Sequence, residues 1–180
     1  MNIKSVILTV IISIALIATI SFLFFRKDNS ETRESEKRKA SAIIASSYEV
    51  RESKITELKT RLILSFNDIT DCKNPTSFNS SVAQKIHNYV DFLPDDTELL
   101  FICCDSGESR SSAIAAATLR YFGEDDMKIW KDPHYHPNTL VYTVLCHEYG
   151  FAVSEDEVRE KADINERALS ETIAAARRNG

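Results

Sequence analysis

Leu99-Leu100-Phe101-Ile102-Cys103-Cys104-Asp105-Ser106-Gly107-Glu108-Ser109-Arg110-Ser111 decides how this chain is read. Its first five residues form a short continuous apolar run, as in a buried parallel strand. Small and polar residues follow, and the stretch from Ser111 to Arg120 is rich in helix formers. A strand, a small-residue loop and a helix start gather several backbone N–H groups around one point. The helix dipole adds to them, and the result is an anion site. Cys104 sits at its base, where the N–H groups and Arg110 drive a thiol toward thiolate. These residues fit a thiolate that attacks a phosphate held by the loop.

The flanking sequence supplies matching elements. Ala42-Ile43-Ile44-Ala45 reads as a first short strand, and Leu62 to Phe66 as a second with a polar stop at Asn67-Asp68. Val82, Ile86, Tyr89, Val90 and Leu93 recur at helical spacing between Ser80-Ser81 and Pro94. The helix after the loop stops at Phe122-Gly123. Asn138 can cap a helix carrying Leu140, Val141, Val144 and Leu145. Ser154 and Glu157 have capping-box spacing for a last helix from about Glu155 to Arg178, whose weak apolar stripe predicts a surface position. Strands alternating with helices predict an α/β class with a central, mostly parallel sheet flanked by helices.

Composition narrows the function classes. The formal net charge is −5, from 22 basic and 27 acidic residues. Residues 1–27 contribute only Lys4, Arg26 and Lys27, so the remainder is more acidic still. No nucleic-acid footprint is present, and no nucleic-acid partner is expected. Cys72, Cys103, Cys104 and Cys146 lack metal-ligand spacing. His134 and His136 alternate in a Pro-containing loop without convincing further ligands, and are expected to line or support the pocket. No metal and no cofactor is expected.

The octet Cys104 to Ser111 resembles the signature loop of the cysteine-dependent protein tyrosine and dual-specificity phosphatases: His-Cys, five residues, Arg, then Ser or Thr. From about Arg61 to Gly150 the chain is similar to small bacterial predicted tyrosine phosphatases. Their Phe-x-Asp-Ile-like step corresponds to Phe66-Asn67-Asp68-Ile69, and their Gly-x-Ser-Arg-Ser core to Gly107-Glu108-Ser109-Arg110-Ser111. Their Pro-Asn step and Val-Tyr pair correspond to Pro137-Asn138 and Val141-Tyr142. The chain departs at one position, where Cys103 replaces the family's His.

The resemblance implies a role for each matched residue. Cys104 is the nucleophile, forming a cysteinyl-phosphate intermediate. Arg110 grips two phosphate oxygens with its planar fork. Ser111 donates to the sulfur as it leaves. The loop Asp105, Ser106, Gly107, Glu108, Ser109 and Arg110 binds the phosphate. An Asp after an earlier strand protonates the leaving group; Asp68 matches the family step best, and Asp71 is the alternative. The acidic Asp105 and Glu108 disfavour highly anionic substrates. The implied partner is a phosphorylated protein, bearing phosphotyrosine or phosphoserine/threonine. The rival function is a phosphate-binding module without turnover.

Ser5 to Phe25 carries no charge and is dominated by Ile, Leu, Val and Phe. About 21 residues suffice to cross a hydrocarbon core of roughly 30 Å. The run ends in Phe22-Leu23-Phe24-Phe25-Arg26-Lys27, a poor site for signal-peptide cleavage. The expected organisation is therefore a membrane anchor over 1–27, a polar linker over 28–40, a phosphatase-like domain over 41–153 and a C-terminal helix over 154–180. Basic residues between Arg26 and Lys39 predict a single-pass protein with its catalytic part in the cytoplasm. A thiolate nucleophile needs that reducing compartment.

Overall fold

Three strands pair in parallel in the order β2-β1-β3: β1 (Ala42–Ala45) lies between β2 (Thr60–Ile63) and β3 (Leu100–Cys103). Ala42 faces Thr60 on one side and Leu100 on the other; Ala45 faces Ile63 and Cys103. The computed structural model describes residues 42–45, 60–94, 97 and 100–179. The expected anchor at 5–25 and the linker at 28–40 lie outside the described residues. Among the described residues no helix is long and apolar enough to cross a membrane.

The mixed helix-and-strand class is as expected, but a sheet flanked by helices overstates the strands. Each strand has only four residues, and helices dominate the described chain. The second strand also starts two residues earlier than its apolar pattern predicts. Leu64 and Phe66 are buried all the same, so they serve the core without serving the ladder. Burial, not pairing, produces the alternation there. In β3, Leu100 and Ile102 are buried and Phe101 and Cys103 are half-buried.

The described helices are α1 (Ser80–Asp91), α2 (Arg110–Tyr121), α3 (Met127–Trp130), α4 (Thr139–Glu148) and α5 (Glu155–Asn179). Asn79 caps α1, its Oδ1 accepting from the N–H groups of Ser81 at 3.0 Å and Val82 at 3.2 Å. Helix α2 is buried from Ser111 to Leu119. Its alanines let it approach α4 and β3 closely. Gly123 ends the turn after α2 at φ +76°, a conformation that favours glycine. The core joins Ile44, Ile102, Ile114, Val141, Tyr142 and Trp130.

Helix α5 docks more firmly than its weak apolar stripe predicts. Val158, Lys161 and Asn165 are buried on its inner face. Lys161 Nζ donates to both carboxylate oxygens of Asp126 at 3.1 Å. Asn165 Nδ2 donates to the Trp130 carbonyl at 3.0 Å. Tyr142 hydrogen-bonds Asp126 as well, and burial followed by that bond pushes its phenol well above the usual range. The capping box at 154–157 is one-sided: Glu157 N–H donates to Ser154 Oγ at 3.1 Å, while the Glu157 carboxylate pairs with Arg120.

Candidate active site

Both outer strands run in one direction, so the chain leaves β2 and β3 at the same edge of the sheet. From β2 it continues through Leu64 and Phe66 to Asp68; from β3 it enters the loop at Cys104. Parallel topology thus brings together two segments far apart in sequence. Open parallel sheets place ligands at that edge.

Cys104 is 6% exposed. Its Sγ accepts from the Gly107 N–H at 3.2 Å and lies 3.1 Å from Ser111 Oγ. Gly107 holds φ +80°, which turns its amide back toward the sulfur. Ser111 is fully buried at the start of α2. The first N–H groups of a helix have no partner in their own helix, and those of α2 open onto this loop.

Arg110 links the two segments. Its Nη1 donates to the Phe66 carbonyl at 3.1 Å, and its Nη2 forms an ion pair with Asp105. Its guanidinium lies 5.9 Å from the centre of the Phe66 ring. An anion approaching the loop would compete with Asp105 for the arginine fork. Glu108 and Ser106 are exposed, and Ser106 Oγ accepts from the Glu108 N–H at 3.3 Å.

Asp68 is brought to the loop. Its Oδ1 accepts from Ser109 Oγ at 2.7 Å and from Asn138 Nδ2 at 2.8 Å. Asp71 is placed differently. It shapes its own turn, its Oδ1 accepting from the Lys73 N–H at 2.9 Å. Of the two candidate acids, only Asp68 makes a bond to the 104–110 loop among the described residues.

A buttress that sequence reading missed comes from the chain before α4. The His136 N–H donates to the Glu108 carbonyl at 2.9 Å, and the Asn138 N–H to the Ser109 carbonyl at 3.3 Å. Asn138 Oδ1 meanwhile caps α4 by accepting from the Val141 N–H at 3.1 Å. The loop is thus braced from residues 136–138. Cys103, the residue before Cys104, bonds away from the loop: its thiol donates to the Ile44 carbonyl of β1 at 3.8 Å. Burial, then the neighbouring Cys104, pushes that thiol up to about 11.

Beside the loop lies a cleft of about 570 Å³. The 68–71 segment, Ser109, Trp130, the 136–139 segment and three residues of α5 form its walls. His136 lines it, with Nδ1 3.1 Å from Asn165 Oδ1. His134 does not; it is exposed and pairs with Asp132 at 2.8 Å. Cys104 and Arg110 do not line it either; of the 104–110 loop only Ser109 does. No protein-family model matches this chain, and neither does any curated protein or solved structure.

Proposed function

We propose that this chain is a membrane-anchored phosphoprotein phosphatase that works through a cysteinyl-phosphate intermediate. The observation that carries the reading is the sulfur of Cys104 held between the Gly107 N–H and the Ser111 hydroxyl, at the base of a Cys-x5-Arg-Ser loop that joins a strand to a helix. A mostly parallel α/β sheet flanked by helices is the finer architecture that belongs with this reading.

In the first step the Cys104 thiolate attacks phosphorus and the bond to the substrate oxygen breaks. Asp68 gives its proton to that oxygen. Arg110, released from Asp105, spans two equatorial oxygens, and the loop amides of residues 105–110 take the remaining charge. In the second step Asp68 accepts a proton from water, whose oxygen attacks phosphorus. The sulfur–phosphorus bond breaks, and the Ser111 hydroxyl supports the departing thiolate at 3.1 Å. Phosphate leaves and the thiolate is restored.

The full chain is expected to hydrolyse p-nitrophenyl phosphate. Cys104→Ser is expected to abolish turnover while retaining vanadate binding, because the amides and Arg110 remain. Turnover by that variant contradicts the covalent route. Binding without turnover in the unaltered chain supports the second reading, a phosphate-binding module; the Asp105 grip on Arg110 favours that alternative. Membrane attachment through residues 5–25 predicts retention in the membrane fraction through alkaline washing.

A further inference from the structure

We propose that Asp105 is an internal competitor for the anion site: its carboxylate takes the place on Arg110 that a phosphate oxygen would take, and the loop binds phosphate as Asp105 gives that place up. This rests on the reading of the 104–110 loop as a phosphate site and adds to it a built-in brake on affinity.

The arginine fork is engaged on both arms. Nη1 donates to the Phe66 carbonyl at 3.1 Å, and Nη2 pairs with Asp105. The two contacts differ in kind. Phe66 lies on the chain that leaves β2, and its side chain is buried in the core with the ring centre 5.9 Å from the guanidinium carbon. That contact is fixed by the packing of the core. The other is not. The Asp105 side chain is 66% exposed, while that of Arg110 is 12% exposed. One partner of the pair therefore stands in water and the other in the protein.

That asymmetry decides which partner yields. Rotation about its own side-chain bonds carries the Asp105 carboxylate into solvent, where water replaces the guanidinium. Arg110 keeps its place through Phe66 and through its position as the first residue of α2. The exchange conserves the charge-assisted contact on Nη2: a carboxylate oxygen leaves and a phosphate oxygen takes over. Its cost is the breaking of an ion pair with one exposed member. Affinity for an anion is then lowered by the fraction of molecules in which the fork is open. On the scale of such pairs this factor is about three- to tenfold.

Inorganic phosphate titrated into the full chain by calorimetry tests this without requiring turnover. Asp105→Asn is expected to bind phosphate about three- to tenfold more tightly than the unaltered chain. Glu108→Gln removes the same charge from the same loop, but the carboxylate on Arg110 is that of Asp105, so its gain is expected to be smaller. Equal gains in the two variants reduce the effect to net charge and overturn the proposal. Unchanged or weaker binding by a folded Asp105→Asn chain also overturns it, because Asp105 then supports Arg110 rather than competing for it. Asp105→Ala repeats the comparison if the amide side chain disturbs the loop. Hydrolysis of p-nitrophenyl phosphate, read alongside, keeps the two claims apart. Turnover by the unaltered chain with no gain in Asp105→Asn removes the brake and leaves the phosphatase. A gain in Asp105→Asn with no turnover by any chain upholds the brake, on a binding module. Phosphate binding by none of the chains overturns both.

Discussion

Asn138 Nδ2 lies 2.8 Å from Asp68 Oδ1, while the oxygen of the same amide accepts from the Val141 N–H at 3.1 Å. One buried side chain therefore holds a helix start with one atom and the candidate acid with the other. Asn138→Asp keeps the capping oxygen and loses the donor. It is expected to lower kcat for alkyl or unsubstituted phenyl phosphates by roughly tenfold or more, with little change for p-nitrophenyl phosphate, since only poor leaving groups need the proton. Equal losses on both substrates would show that the bond serves folding alone.

Asp68 and Asp71 differ in what they touch, and kinetics should separate them. Asp68→Asn is expected to slow poor leaving groups by about a hundredfold. Asp71→Asn, whose carboxylate is tied to a local turn, should leave the dependence on the leaving group as it was. A steeper dependence in Asp71→Asn reverses the assignment.

The Lys161–Asp126 pair is buried beneath α5, and breaking it should be costly. Lys161→Met leaves Asp126 in the interior without its ammonium partner. A loss of about 3–5 kcal/mol in urea unfolding is expected. Adding Asp126→Asn should restore part of that stability, because the stranded charge is then gone. A loss under 1 kcal/mol in the single variant contradicts the buried pair.

Cysteine reactivity provides a pH test. Cys72 is exposed, whereas burial raises the thiols of Cys103 and Cys146 to about 11. A raised thiol stays protonated across neutral pH and turns nucleophilic only as the pH climbs toward its shifted value. Iodoacetamide at pH 7 should label Cys72 and spare Cys103 and Cys146, as read by peptide mass spectrometry. Labelling of Cys103 as fast as Cys72 contradicts its burial against β1.

The strand–loop–helix frame around residues 104–110 was legible because it lies in consecutive residues whose flanks carry clear patterns. The apolar run before Cys104 and the alanine-rich stretch after Arg110 each correspond to one element. Asn138 was legible as a cap, but its second bond was not, since Asp68 is seventy positions away. Helix α3 has four residues, too few to show a period. The docking of α5 was hidden for another reason: its inner face uses Lys161 and Asn165, which an apolar-stripe reading assigns to solvent. The cleft has no sequence signature at all. Its walls come from segments around 68, 109, 130, 138 and 165, and only folding makes them neighbours.

The attachment of α5 also sets an order of events during synthesis. A chain made from its amino end presents β3, the loop and α2 before residues 155–179 have been added. Trp130, among the largest fully buried side chains, belongs to the short α3 against which α5 packs. Until that last helix arrives, the Trp130 backbone carbonyl lacks the Asn165 amide that donates to it. The nascent chain thus passes through a stage in which the 104–110 loop and its flanking strand and helix are already made while α3 still lacks its packing against α5. At that stage it is most open to chaperones and to self-association.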